Sequence, residues 1–166
     1  MDDKILSQFY MRYSREIYLY LYSMSHDRML SEDLMQETFL KALLSLYDQH
    51  ANVRAWLYVV ARNQFYDYKK TSRKQVHYEA LEDTLHTEED LIAELISSEQ
   101  KRSLYFALSH LDGRKREILV LQYYSELSQK EIARLMHLSL ENVRVLAYRG
   151  KRELKKYLEE NGYEIS

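Results

Sequence analysis

Apolar side chains recur along most of this chain at every third or fourth position, the period of a helix that buries one stripe and wets the other. Ile5, Phe9, Tyr13, Ile17 and Leu21 predict a first long helix. A polar break follows at 24–30, and Ser31 then reads as the N-cap of a second helix, with Glu32 and Asp33 near the positive end of its dipole. The buried stripe of that helix is Met35, Phe39, Ala42, Leu43 and Leu46. Beyond a short loop at 47–53, a third helix runs to about Ser72, with Val53, Trp56, Leu57, Val60 and Ala61 as its core contacts.

The sharpest pattern lies at 127–152, LSQKEIARLMHLSLENVRVLAYRGKR. Ser128 with Glu131 makes a capping box, and Leu127 with Ile132 a hydrophobic staple; Ser139 repeats the cap and Leu138 with Val143 the staple. A helix ending near Met136 and another starting at Leu140 leave only a short turn between them, which is the spacing of a helix-turn-helix. In the second of these, Val143, Leu146, Ala147 and Leu154 face a core, so Glu141, Asn142, Arg144, Val145, Tyr148, Arg149 and Arg152 point outward. Those outward types read base edges and hold phosphates. A helical hairpin with a solvated basic face has the same pattern, and these residues alone leave both readings open.

Composition narrows the class. With no proline and only three glycines, the chain has little from which to build strand-joining turns, so the expected fold is all-α. No cysteine is present, which excludes disulfides and thiolate zinc sites, and the six histidines lack the spacing of a metal helix; no metal, cofactor or catalytic residue is expected. No apolar run approaches a membrane span, and Asp2 and Asp3 do not suit a signal peptide, so a cytoplasmic protein without membrane insertion is expected. The net charge of -2 conceals segregation: 1–75 hold 11 Lys/Arg against 9 Asp/Glu, 76–100 hold none against 8, and 101–166 hold 13 against 9. Two small helical domains at 1–75 and 101–166, joined by an acidic, partly helical linker at 76–100, are the expected organisation. The acidic stretch suits a solvated tether, a competitor of nucleic acid for the basic blocks, or a plug for a positive channel.

Two further faces carry chemistry. On the second helix Asp33, Gln36, Glu37, Leu40 and Leu44 align, mixing acids with leucines where a solvated face is ordinarily polar throughout. This stripe fits either a docking surface for another protein or packing on a neighbouring helix. On the third helix Arg54, Arg62, Lys69, Lys70, Arg73 and Lys74 alternate with Tyr58, Phe65, Tyr66 and Tyr68, and rings beside cations suit unstacked bases. A tyrosine-rich core helix with solvated lysines is the alternative.

Three segments in order, SEDLMQETFLKAL at 31–43, VRAWLYVVARNQFYDYKK at 53–70 and the stretch from Ala107 to Leu154, resemble the extracytoplasmic-function group of bacterial sigma factors. The resemblance implies regions 2 and 4, two helical domains that turn core RNA polymerase into a promoter-specific enzyme without catalysing a reaction themselves. It implies that Asp33, Gln36, Glu37 and Leu40 dock on the polymerase. Arg62, Asn63, Tyr66, Lys69 and Lys70 then hold the melted single strand of the minus-ten element, and Asn142, Arg144, Val145, Tyr148, Arg149 and Arg152 read the minus-thirty-five element as duplex DNA. Many relatives are held inactive by an anti-sigma protein, a further partner that no residue here identifies. Sigma-like regulation without polymerase docking is the alternative.

The chain departs from the family pattern in places. The loop at 47–53, where family members receive a flipped-out base, is short and lacks the FRG-type sequence, so the base it accepts stays open. Where many members read G-T-V-[KR]-S-R, this chain has Glu141-Asn142-Val143-Arg144-Val145-Leu146, which implies a promoter sequence of its own. Asp112 stands where proline is usual and Ser125-Glu126 where glycine is common, both acceptable at caps or turns.

Overall fold

The computed structural model describes residues 3–45, 52–71 and 87–162, and eight helices order these segments. The all-α expectation holds. Helix α1 (Asp3–Ser25) ends where His26 takes a left-handed φ of 54°, and Asp27 then caps α2 (Arg28–Leu44) by accepting the Leu30 amide at 3.0 Å. Ser31 is therefore not the cap: it is buried, and its hydroxyl donates to the Asp27 carbonyl at 2.7 Å. One left-handed residue turns the chain, so the break is shorter than the polar stretch suggested, and α2 starts a turn earlier. Met35, Phe39 and Ala42 are buried as expected, joined by Leu34 and Thr38; Leu43 is half-buried, and Leu46 and the 47–51 part of the expected loop lie outside the described residues.

Helix α3 (Val53–Thr71) buries Leu57, Tyr58, Ala61 and Phe65. Tyr58 and Phe65, read from sequence as stacking rings, are thus core residues. They extend the Leu57–Ala61 stripe by helical spacing, and burying a ring releases more apolar surface than a neighbouring lysine stem can. The buried Tyr58 hydroxyl donates to Glu16 at 3.1 Å, so its polar tip is satisfied.

Residues 76–86, the first part of the acidic stretch, lie outside the described residues. The remainder is structured: a Thr87–Asp90 capping box opens α4 (Glu88–Leu95), and its acids face water while Ile92 and Ile96 join Leu19, Tyr22 and Tyr105 in a small core of their own. Next come α5 (Glu99–Leu108), α6 (Gly113–Tyr124, capped by Asp112), α7 (Gln129–Met136) and α8 (Leu140–Glu160). Asp112 works as an N-cap where the family favours proline, and Glu126 holds a φ of 54°, a conformation that glycine adopts without cost.

Helices α1, α2 and α3 pack on one another, α6 packs on α8 and α7, and the two groups meet where α1 touches α6 and α3 touches α7. Gly150 sets the α6–α8 approach. A Cβ there would lie 3.1 Å from Leu119 Cδ1 and 3.3 Å from Lys115 Cβ. Gly150→Leu is therefore expected to lower the unfolding free energy by about 1–3 kcal/mol, as overpacking does, measured by urea denaturation. Unchanged stability would mean that α8 shifts away at no cost.

Candidate nucleic-acid interface

The helix-turn-helix is assembled from local signals. Ser128 accepts the Glu131 amide at 3.1 Å while Glu131 accepts the Ser128 amide at 2.9 Å, and Ser139 accepts the Asn142 amide at 3.0 Å. His137 closes α7 with a φ of 56°, and the Leu138 amide reaches back to the Ala133 carbonyl at 2.9 Å, a Schellman closure that aims α8 away from α7. Leu127, Ile132 and Val143 are buried in the main core, with Leu138 packed against it, so both expected staples end in apolar surroundings. Val143, Ala147, Gly150 and Leu154 anchor α8.

The opposite side of α8 is open. Asn142, Arg144, Val145, Tyr148, Arg149 and Arg152 are all exposed, with Tyr148 at 62% and the Arg152 guanidinium 5.8 Å from its ring centroid. Two of these arginines stand one turn and a residue apart, a reach suited to adjacent base pairs or phosphates along a groove.

On α3, Asn63, Tyr66, Lys69 and Lys70 are exposed and share a face with Arg62. Arg62 differs from the other four. Its Nε donates to Glu117 Oε2 at 2.8 Å, its side chain is only 17% exposed, and its guanidinium lies 4.6 Å from the Tyr66 ring centroid. Glu117 comes from α6 and is buried; Tyr20 of α1 donates to the same oxygen at 2.6 Å. Burial, then the Glu117 charge, pushes the Tyr20 hydroxyl well above its ordinary pKa, so it remains a donor at any physiological pH.

A second network braces the start of α3. Arg54 grips Glu16 through two contacts of 2.8 Å, lies over the Tyr13 ring at 5.2 Å and reaches Glu126 at 3.3 Å. Donating to the Glu16 carboxylate raises the Arg54 pKa, and an always-charged bidentate clamp fixes the angle between α1 and α3. Sequence periodicity gives no hint of this pairing, because Glu16 and Arg54 are distant in the chain. Glu117 did leave a trace: it is the one acid leading the apolar run Ile118-Leu119-Val120-Leu121.

The α2 face is also open. Asp33, Gln36 and Glu37 are exposed, as are Leu40 at 48% and Leu44 at 71%, and Gln36 reaches Glu32 at 3.4 Å. Leu40 and Leu44 thus leave much of their surface uncovered by the other described residues. Among the described residues no cluster of His, Asp or Glu could hold a metal ion, and no helix is long and apolar enough to cross a membrane.

Comparison with known proteins agrees with this layout. The sigma-70 region 2 family model matches residues 9–75 and the sigma-70 region 4 model matches residues 101–154. The chain is 33% identical over 160 residues to the ECF RNA polymerase sigma factor SigM of Bacillus subtilis, covering 90% of this chain and 93% of that protein. It is 32% identical over 162 residues to the RNA polymerase sigma factor YlaC of the same organism, covering 91% and 90%. The fold matches that of the sigma factor RpoE solved with the anti-sigma factor NepR from Bartonella quintana, with a TM-score of 0.68, 21% identity and coverage of 94% and 98%.

Proposed function

Because the chain belongs to the extracytoplasmic-function sigma factors of bacterial RNA polymerase, which direct transcription initiation, we propose a role for each of its three exposed faces. Residues 1–75 form the region 2 unit. Its α2 face, Asp33, Gln36, Glu37 and Leu40, docks on core RNA polymerase, and its α3 face, Arg62, Asn63, Tyr66, Lys69 and Lys70, holds the single strand of the minus-ten element. Residues 101–166 form the region 4 unit, in which Asn142, Arg144, Val145, Tyr148, Arg149 and Arg152 on α8 contact the minus-thirty-five duplex. The acidic stretch at 76–100 joins the two.

The observation that carries these roles is that each helix buries one stripe while its opposite face, Arg62 excepted, is exposed and bears the chemistry its ligand needs. On α2 that is leucine among acids for a protein surface. On α3 it is a ring among cations for stacked bases and phosphates, and on α8 arginines beside Val145 for base edges and a thymine methyl. The protein works in the cytoplasm as a non-enzymatic factor, with an anti-sigma protein as a regulatory partner.

Run-off transcription from a promoter library, using core polymerase with and without this protein, tests the reading. Factor-dependent transcripts that share two spaced motifs are expected. No factor-dependent transcript from a folded protein offered several core enzymes would shift the function to a sigma-like regulator that acts without polymerase.

A further inference from the structure

We infer that Glu141 selects cytosine at one position of the minus-thirty-five element, its carboxylate accepting a hydrogen bond from the cytosine N4 amino group in the major groove. This rests on the proposed role of α8 and adds to it an acid that leads the same face. At 3.6 residues per turn, Glu141, Val145, Tyr148 and Arg152 fall in a single row, with Arg144 and Arg149 on its two flanks. Val143, Ala147, Gly150 and Leu154 bury the opposite side. Glu141 is exposed and stands in the first turn, the end from which a recognition helix reaches base edges. Many family members carry glycine here, which has no side chain with which to choose a base.

The N-cap of α8 does not use this carboxylate. In α7 the acid three residues past the cap, Glu131, accepts the Ser128 amide at 2.9 Å and completes a reciprocal box. In α8 the acid comes one residue sooner, and the third position is Asn142, whose amide is taken by Ser139 at 3.0 Å. Among the described residues the Glu141 carboxylate has no hydrogen bond or ion pair, even with Arg144 one turn on. An unpaired carboxylate on a DNA face is repelled by phosphates unless it finds a donor. Its oxygens only accept, whereas guanine offers the acceptors N7 and O6, thymine an acceptor and a methyl, and adenine a donor beside the acceptor N7. Cytosine alone presents an amino donor with no acceptor of its own beside it. Glu141 thus rejects three bases by repulsion as much as it attracts the fourth.

Holoenzyme reconstituted from core polymerase and the full-length protein, transcribing a library randomised in the minus-thirty-five element, reads this choice base by base. The wild-type protein is expected to favour cytosine at one position by about tenfold, the scale of one specific base contact. Glu141→Gln keeps the shape but offers the paired donor and acceptor that suit adenine, so the preference at that position should move from cytosine to adenine. Glu141→Ala should flatten it, and carries the test if circular dichroism shows Glu141→Gln to be unfolded. A carboxylate that only complements the α8 dipole would instead lower the melting temperature in both variants and leave every base preference as it was, which overturns the inference. A change spread over several positions overturns it too, because that reports a tilted helix rather than one lost contact. If Arg149→Ala relaxes a guanine in the same library while the Glu141 variants match the wild type, α8 reads DNA and only the inference fails. A wild-type library with no preferred base in that element would reject the DNA role of α8, and the inference with it.

Discussion

Glu37→Lys combined with Leu40→Ala is expected to abolish binding to core RNA polymerase while leaving free duplex binding and helical content unchanged. Both side chains are exposed on α2, opposite the buried Leu34, Met35, Thr38, Phe39 and Ala42, so neither change opens a cavity. Truncating a leucine that seats in a partner's pocket costs about 2 kcal/mol or more, and reversing a rim charge that meets a complementary patch adds repulsion. Together they weaken the complex by on the order of a thousandfold. Fluorescence anisotropy of labelled factor against core enzyme reads this directly. Retained affinity would remove α2 from the polymerase contact, and Leu44, more exposed still, would then need another explanation.

Arg149→Ala is expected to relax promoter choice at one position of the minus-thirty-five element. An arginine that grips a guanine edge through two hydrogen bonds contributes about 1–3 kcal/mol of discrimination, so the preference for guanine should fall by about 5- to 150-fold. Arg152→Ala should behave differently. Its guanidinium lies over Tyr148 further along α8, a position suited to a phosphate, and its loss should weaken all sequences alike and lower the salt dependence by about one counterion. Competition binding across single-base variants, repeated at two salt concentrations, separates the two. A uniform loss for Arg149→Ala would class it as a backbone contact and leave Arg144 as the base reader.

How far such roles were legible before folding depended on the range of the forces that set them. Ser128, Glu131, Ser139 and the turn between α7 and α8 were readable because a cap acts within three residues of itself, and neighbours along the chain contain the whole interaction. Even there, local signals compete. Asp27 and Ser31 are both good caps, and what decided between them was the left-handed turn at His26, which let α2 start early and left Ser31 inside the core. Rings were harder. Tyr58, Phe65 and Tyr66 sit within a few residues of one another and share the same chemistry, yet two are buried and one is 41% exposed. Helical period alone could not rank them, because a tyrosine suits a core and a stacking platform equally well.

The sequence by itself determined the helical class, the two groups of helices with acidic residues between them, the helix-turn-helix and the three candidate faces. Each follows from composition or from periodicity along a single helix. Only the tertiary structure decided that Arg62 is held by Glu117, that Arg54 braces α3 through Glu16, and that Ile92 and Ile96 draw the end of the acidic stretch into a core with Leu19, Tyr22 and Tyr105. Those contacts join residues far apart in the chain. The two ion pairs exist because burying a charge demands a partner and the small core because apolar side chains leave water together, and no local pattern says which helix will pack alongside.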